Sequence, residues 1–274
     1  MNLNFSVLAS IYHKESPEYL DACLESIWVT QSLRPNEIIL VKDGPLTSEL
    51  DNIIAKWKTI LMSALKVIPL EQNVGLGKAL NIGLSNCSNE WVFRMDTDDI
   101  CVPDRFEKQI DFIKAHPDIS LLSGQIKEFD GSVENVTGVK SVPQIHDEIL
   151  KFSKTRNPFN HMAVAYKKSI IESVGGYQHH LYMEDYNLWL RVLASGFKVA
   201  NLEDTLVMVR AGEDMIKRRK GKVYVNSEWQ LLNLKRSLGY QSTTMALLTF
   251  TARSIPRLLP TSILSKVYSR LRAN

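Results

Sequence analysis

The first half of the chain alternates short apolar runs with segments whose apolar residues recur at helical spacing. The apolar runs are read as four strands, at residues 5–11, 38–41, 65–70 and 91–95. Helical patterns follow after Pro17, around residues 50–61 and behind the segment Asn73–Lys78. Short connections between alternating strands and helices predict an α/β fold, with a single mostly parallel sheet flanked by helices on both faces.

Beyond about residue 120 this alternation loosens. Strand-like pieces at residues 120–126 and 161–166 are mixed with a helical segment at residues 146–152 and a mostly buried helix after Tyr186. We therefore expect one main domain over residues 1–240 whose two halves meet near residue 120, followed by a separate tail of residues 241–274.

Charge is distributed unevenly along the chain. Residues 215–274 contain twelve Lys and Arg against the single acid Glu228, a net charge of +11, so the first 214 residues carry −8 of the total of +3. In the tail the basic residues accompany Leu and Ile, which fits an amphipathic helix lying on an anionic membrane surface. The alternative is a helix packed on the body or on a partner, with its basic face in solvent. Nucleic-acid binding is not expected, because stacking aromatics do not accompany the charges.

Targeting and cysteine signals are few. The N-terminus has no basic segment followed by an apolar core, and no apolar stretch reaches the roughly 18 residues that span a bilayer, so a cytoplasmic protein is expected. Cys23, Cys87 and Cys101 lack CxxC spacing. They are read as core residues rather than disulfide or zinc ligands.

The strongest chemical feature is the acidic run Asp96–Asp99, directly after the apolar strand that ends at Met95. Sheets of this class bind ligands at the carboxyl ends of their strands. Crowded carboxylates need a counter-charge, and Mg²⁺ or Mn²⁺ carrying nucleotide phosphates would supply it. The alternative is a solvated turn in which one Asp caps the helix that Pro103 opens.

Two more features are expected at the same sheet edge. Asp43 follows the second strand, where its carboxylate could accept a hydrogen bond from a base N–H or a ribose hydroxyl. Gly75 and Gly77 would let the backbone approach a phosphate, and Lys78 adds charge. The segment matches neither a P-loop nor a dinucleotide fingerprint.

Three later features each allow two interpretations. Asp185, beside Glu184, is either an acid favoured by a helix N-terminus or a general base. His161 by itself is more often a hydrogen-bonded core or surface residue than a ligand. Arg218 and Arg219 lie either in a solvated loop or beside a diphosphate, to which they would offer bidentate donors.

In their order and spacing, these motifs resemble the family 2 inverting glycosyltransferases of the GT-A fold, over roughly residues 4–240. The motifs are Val7–Tyr12, Glu37–Gly44, Asn73–Asn81, Arg94–Asp99, Val174–Tyr177 and Glu184–Arg191. Within that family the chain is most similar to the bacterial enzymes that extend lipid-linked repeat units of exopolysaccharide, capsule or O-antigen, including those of the amylovoran type.

The resemblance implies a role for each candidate residue. Asp185 would be the catalytic base, and Asp98 and Asp96 would bind Mn²⁺ or Mg²⁺, with Asp99 a competing ligand. Donor binding is implied for Ser10, Tyr12, Asp43, Lys78, Arg94 and Asp96. Contacts with the acceptor or the diphosphate are implied for Glu184, His161, Arg218 and Arg219. Lys42 stands where the family usually has a second acid.

The implied reaction moves one sugar from a nucleotide-sugar donor, usually a UDP-sugar, to a saccharide linked to undecaprenyl diphosphate. Residues 1–120 would form the nucleotide-sugar half, residues 121–240 the acceptor half, and residues 241–274 a tail on the inner face of the cytoplasmic membrane. The QxxRW motif of processive synthases is absent from the sequence, which favours single-sugar addition.

Two other functions compete with this interpretation. A nucleotidyltransferase that forms sugar nucleotides would need a glycine-rich basic loop after the first strand, where residues 12–17 contain no glycine. An inactive membrane-surface scaffold of a glycan assembly complex would not need Asp98 or Asp185.

Overall fold

The computed structural model describes residues 3–210 and 221–258, which form a nine-stranded sheet with helices on both faces. The strands are β1 (Phe5–Ile11), β2 (Glu37–Lys42), β3 (Leu65–Pro69), β4 (Trp91–Arg94), β5 (Ile100–Cys101), β6 (Ile119–Phe129), β7 (Val136–Lys140), β8 (Ala165–Lys167) and β9 (Lys198–Arg210). The helices are α1 (Pro17–Trp28), α2 (Ser48–Leu61), α3 (Leu76–Asn86), α4 (Arg105–Ala115), α5 (His146–Ser153), α6 (Lys168–Ser173), α7 (Glu184–Ala194), α8 (Gly221–Ser237) and α9 (Thr243–Ser254).

The strands of the first half are buried on both faces, which explains why they read as continuous apolar runs. Along β1, Val7 and Ala9 pack with α1, α2 and α4 on one face, whereas Leu8 packs with α3 and α7 on the other. This alternation is the period of two that strand geometry imposes. The three cysteines are buried in these two cores, as expected.

The sheet order is β3-β2-β1-β4-β8-β6-β9-β5, with β7 paired to β6. Strands β3, β2, β1 and β4 run parallel, as predicted. In the second half, β8 is antiparallel to both β4 and β6, and β9 is parallel to β6 but antiparallel to β5. The α/β prediction is confirmed, whereas the sheet as a whole is mixed, because the second half returns through antiparallel strands.

Several elements of the second half differ from the expected ones. The segment predicted as a strand over residues 161–166 begins with a 3-10 turn, His161–Ala163, and β8 starts only at Ala165. Strands β5, β7 and β9 were not predicted. Strand β7 is mostly exposed, β5 has two residues inside a polar segment, and β9 carries Glu203 and Asp204 in its middle, so none shows a clean apolar period.

Helix α8 packs against the first turns of α7. Tyr186 of α7 lies in an apolar cluster with Tyr224 and Leu231 of α8. The buried ammonium group of Lys235 donates to the Tyr186 hydroxyl at 3.0 Å and to the Lys154 carbonyl at 2.8 Å. These contacts tie the C-terminal helices to the beginning of α7.

An ion pair joins the two C-terminal helices. Arg253 of α9 donates through Nε to the buried Glu228 of α8 at 2.7 Å, and through Nη1 to the Thr155 carbonyl at 2.8 Å. The boundary predicted at residue 240 thus falls between two helices that contact each other, and residues 259–274 of the expected tail lie outside the described residues. Among the helices described, none is long and apolar enough to cross a membrane.

Lys235 gives a pH-dependent test of this packing. Burial, followed by the charge of Arg253, lowers the pKa of Lys235 to about 7, against about 10.4 in an unfolded chain. The unfolded chain therefore binds the proton more readily between these values, and the Lys235 contribution to stability grows as pH rises through that window. We expect the unfolding free energy of wild type, minus that of Lys235→Met, to increase by about 1 kcal/mol per pH unit between pH 7 and 9.

Urea unfolding at pH 7, 8 and 9 measures this difference. Lys222→Met is the matched control, because Lys222 lies in the same helix with its ammonium group in solvent. The unfolding free energy of the control should change with pH in the same way as that of wild type. The prediction would be contradicted if the unfolding free energy of Lys235→Met also changed with pH in the same way as that of wild type.

Candidate active site

The acidic run leaves the carboxyl end of β4 and is held by groups from several elements. Asp96, whose side chain is 29 % exposed, forms an ion pair with the guanidinium group of Arg94. Asp99 is 2 % exposed and accepts a hydrogen bond from the backbone N–H of Arg210, at the end of β9, at 3.0 Å. Helix α4 begins later, with Asp104 at its N-cap position. The interpretation of the run as a capped turn is therefore wrong.

Negative charge accumulates at this turn. Burial, and then the charge of Asp96, raise the pKa of Asp98 to about 7 and raise the pKa of Asp99 as well. Glu15, which the sequence analysis did not identify, adds a fourth carboxylate and accepts a hydrogen bond from the Thr97 hydroxyl at 2.9 Å. Arg94 compensates only part of this charge, so a cation is favoured here.

The residues at this turn fit a hard divalent cation that keeps open positions. In the described parts of the chain no group of three or more His, Cys, Asp or Glu is arranged to hold a metal ion. Asp96 and Asp98 nevertheless offer two partly exposed carboxylates. Mg²⁺ and Mn²⁺ take few protein carboxylates when phosphate and water oxygens complete the coordination.

Arg94 occupies a different place from the one predicted. Its side chain is fully buried behind the acidic turn, so the expected contact with a donor does not fit, and its charge acts on Asp96 instead. Arg105 of α4, also fully buried, donates to the Arg94 carbonyl at 2.8 Å and to the Gln109 side chain at 3.0 Å. Both cations support the turn from inside the protein.

Asp43 anchors the glycine-containing loop. It is 4 % exposed, and its carboxylate accepts hydrogen bonds from the backbone N–H groups of Val74 at 2.7 Å and Gly75 at 3.1 Å. This loop leads into α3, where Lys78 is exposed in the first turn. The described contacts make Asp43 a residue that positions the loop, and its contact with a nucleobase stays a prediction.

The remaining donor candidates lie at the end of β1. Ser10 pairs with Val41 in the parallel register of β1 and β2, which places it next to the strand end that carries Asp43. Tyr12 follows β1 and is 40 % exposed. Both side chains therefore belong to the same sheet edge as the acidic turn.

Helix α3 is joined to the turn at Gly175 and Gly176 that precedes α7, called here the glycine turn. Asn81 accepts a hydrogen bond from the Tyr177 backbone N–H and donates one to the Tyr177 carbonyl, both at 2.8 Å. Arg191 of α7 donates to the carbonyls of Val174 and, at 2.6 Å, Gly176. The turn is thus held from the helices on both sides.

Asp185 lies in the first turn of α7, half-buried. Its Oδ2 accepts a hydrogen bond from the Asn157 side chain at 2.6 Å, and its Oδ1 accepts one from the Tyr186 backbone N–H at 2.7 Å. The adjacent Glu184 packs beside Gly77 of α3, and burial raises the pKa of Glu184. Asn157 was missed, because a lone Asn in a polar turn carries no periodic or spacing signal.

His161 belongs to an aromatic cluster with Tyr177 and Trp189. Its Nε2 shares a hydrogen bond of 2.9 Å with the Tyr177 hydroxyl. Burial, and then the charges of Arg94 and Lys140, lower the pKa of His161 well below its ordinary value, so the ring is neutral at pH 7. Its contact with an acceptor or diphosphate stays a prediction.

In the structure, most of the predicted residues are linked to one another through a chain of contacts. Asp43 is linked through the loop and α3 to the glycine turn and Asp185, while Arg94 connects Asp96 electrostatically with Tyr177 and His161. Arg218 and Arg219 lie outside the described residues.

This arrangement defines a class of protein. A half-sheet of parallel strands carries an acidic turn at its carboxyl edge, and a second half supplies a carboxylate at a helix N-terminus, which together form the GT-A fold of glycosyltransferases. The model of the family described as glycosyl transferase family 2 matches residues 6–174. The chain belongs to this family and is a glycosyltransferase.

Relatives match nearly the whole chain. A glycosyltransferase of Haemophilus influenzae is 48 % identical over 97 % of this chain and 98 % of its own length. The amylovoran biosynthesis glycosyltransferase AmsE of Erwinia amylovora is 46 % identical, covering 98 % and 99 %. The UDP-Gal:α-D-GlcNAc-diphosphoundecaprenol β-1,3-galactosyltransferase of Escherichia coli is 40 % identical, covering 97 % and 96 %.

Two solved structures support the fold. TarS 1-349 of S. aureus, in complex with UDP-GlcNAc, superposes with a TM-score of 0.67 at 20 % identity, covering 90 % of this chain and 70 % of that one. The mannosyltransferase PcManGT of Pyrobaculum calidifontis, in complex with GDP-Man and Mn²⁺, gives 0.65 at 16 % identity, covering 99 % and 81 %. At these identities the likeness concerns the fold.

The glycine turn offers a test of how tightly the two halves are joined. Gly176 has φ +61°, and a Cβ there would lie 2.6 Å from Asn81 Oδ1. Gly176→Ala should therefore lower the unfolding free energy by about 1–2 kcal/mol because of the left-handed backbone. The clash with Asn81 should lower it by roughly 1–3 kcal/mol more.

Gly131→Ala is the matched control. Gly131 has φ +70°, but no described atom lies within 4 Å of a Cβ placed on it, so only the backbone cost applies. Urea unfolding of both variants should show the larger loss for Gly176→Ala. Equal losses of unfolding free energy in the two variants would contradict the prediction, since they would mean that Asn81 moves away from the added methyl group without cost.

Proposed function

We propose that this enzyme transfers one sugar, with inversion, from a UDP-sugar to a saccharide linked to undecaprenyl diphosphate during synthesis of a bacterial surface polysaccharide. The observation that supports the proposal is that Asp185, oriented by Asn157, and Asp96 of the acidic turn both lie close enough to Tyr177 for their charges to act on its hydroxyl. The E. coli relative, 40 % identical over 97 % of this chain, is named for this donor and acceptor chemistry.

The donor side must stabilise the leaving diphosphate. Asp98 and Asp96 would hold Mn²⁺ or Mg²⁺, which when bound neutralises charge on the departing nucleoside diphosphate. The N-terminus of α3 and the exposed Lys78 add positive potential near the phosphates. Asp43 keeps this loop in place through its two backbone hydrogen bonds.

The acceptor side must activate a hydroxyl. The acceptor O–H bond breaks as its proton passes to the Asp185 carboxylate, the oxygen attacks the anomeric carbon, and the bond from that carbon to the diphosphate oxygen breaks. Attack from the face opposite the leaving group inverts the configuration. The hydrogen bond from Asn157 to Oδ2 fixes the orientation of the base.

We infer that the protein reaches its lipid-linked acceptor by peripheral contact with the inner face of the cytoplasmic membrane. Helix α9 exposes Met245, Leu247 and Leu248, and the segment from residue 215 onward carries a net charge of +11. Apolar side chains next to basic residues suit an anionic lipid surface.

Asp185→Asn tests the assigned base. The amide cannot take up the acceptor proton, so we expect kcat for transfer to fall by at least about 100-fold, while calorimetric affinity for the nucleotide sugar stays within twofold. Asp147→Asn is the control, because Asp147 is an exposed acid in the first turn of α5. A variant at position 185 that keeps most of its turnover would falsify the assignment.

Asp98→Ala tests the assigned metal ligand. We expect calorimetric affinity for UDP in the presence of Mn²⁺ to fall by about tenfold or more, since a ligating carboxylate is removed. Affinity for UDP with EDTA should stay the same as in wild type. Asp111→Ala, at an exposed position of α4, serves as the control. An unchanged Mn²⁺-dependent affinity would exclude Asp98 as a ligand.

The reaction products distinguish the competing functions. Release of a nucleoside diphosphate accompanies sugar transfer, whereas release of pyrophosphate from a nucleoside triphosphate would support a nucleotidyltransferase. Binding to anionic vesicles without turnover of any nucleotide sugar would support the scaffold.

A further inference from the structure

Tyr182 stands out among the residues outside the described catalytic groups. Its φ of +66° places it in the left-handed region, which a bulky side chain rarely adopts, and its side chain is 43 % exposed. Strained backbone of this kind persists where the surrounding structure enforces it, often at binding sites. Core packing does not require the exposed part of the ring.

The segment around Tyr182 is rigidly held. His180 is buried, and its ring bonds to the Ser227 carbonyl of α8 at 2.8 Å and to the Asn187 side chain of α7 at 3.2 Å. The Met183 backbone N–H donates to the His180 carbonyl at 2.8 Å, which closes a turn around Tyr182. The conformation of Tyr182 is therefore set by two helices.

A second aromatic ring backs the first. Tyr182 stacks on Tyr224 of α8, with ring centroids 5.9 Å apart and planes 19° from parallel. Tyr224 is itself buried, and the guanidinium group of Arg257 lies over it at 4.7 Å. The stack holds the exposed ring in one orientation, so little side-chain entropy is left to lose on binding.

The location of this ring is close to the base. Asp185 follows Tyr182 by three positions, which limits their Cα separation to about 11 Å. The predicted donor residues lie elsewhere, in or directly after β1, β2 and β4 and in the first turn of α3. Tyr182 therefore shares a short segment with the proposed base rather than with the predicted donor residues, which suits a contact with the acceptor.

We propose that Tyr182, backed by Tyr224, is a platform on which a sugar ring of the acceptor stacks, so that the reacting hydroxyl is directed towards Asp185. The inference rests on the proposed function and adds to it the residue that recognises the acceptor saccharide. A pyranose has a C–H face that suits an aromatic plane, and the tyrosine hydroxyl can bond to a sugar hydroxyl.

Kinetics with a soluble acceptor test the platform. The probe is α-GlcNAc diphosphate esterified with methanol, compared with the same compound carrying an undecyl chain. For Tyr182→Ala we expect the KM of both acceptors to rise about tenfold or more while the donor KM stays within twofold. Tyr182→Phe should recover most of the acceptor affinity, because it keeps the ring.

Two further variants separate a binding role from a folding role. Tyr182→Gly accepts the left-handed backbone, so its Tm should not fall below that of Tyr182→Ala, yet its acceptor KM should rise equally. Trp229→Ala is the control: it removes a different exposed aromatic ring, one that lies in α8, and should leave the acceptor KM unchanged.

Calorimetric binding of the methyl-ester acceptor keeps the platform separate from the proposed function. Equal affinity for this acceptor in wild type and Tyr182→Ala would overturn the platform, whatever the turnover of the variant. A loss of affinity that affects only the undecyl compound would overturn it as well. Weaker binding in Tyr182→Ala and Tyr182→Gly, restored in Tyr182→Phe, would support the platform. Lack of transfer by wild type from any UDP-sugar would overturn the proposed function instead.

Discussion

The ion pair between Arg94 and Asp96 is the interaction on which the site depends. Asp96, Asp98, Asp99 and Glu15 crowd the end of β4, and removing that many carboxylates from water is costly unless opposite charge lies close. The fully buried Arg94 supplies one positive charge from inside the protein, and backbone amides supply partial charges. The remaining negative charge favours a cation at this turn.

A second constraint is that helix α3 and the turn before α7 must approach within hydrogen-bonding distance. Asn81 fulfils this by bonding both backbone groups of Tyr177, and Gly176 allows the approach because a side chain would collide with Asn81. Arg191 holds the other side of the same turn. The loop that Asp43 holds and the segment that leads to Asp185 are thus joined through one short turn.

Sequence patterns predicted the first half of the fold well, because β1, β2 and β4 are buried on both faces and read as apolar runs. They failed for β5 and β9, where pairing depends on distant partners. In the site, acids at strand ends could be identified by position. Arg94 looked like a donor contact, because burial is invisible in a motif, and Asn157 gave no signal because its role depends on a contact across 28 residues.

Helix α7 carries Asp185, the proposed base, and this helix is supported from three directions. Asn157 holds Asp185 directly, the glycine turn binds Arg191, and α8 contacts the adjacent Tyr186 through Lys235. The last support is reinforced by α9, whose Arg253 pairs with Glu228 and also reaches the body at Thr155. The C-terminal helices therefore do two things at once. They hold the start of α7, and through α9 they expose apolar side chains. A surface that contacts α9 would therefore act on a helix pair that contacts Tyr186, the neighbour of Asp185.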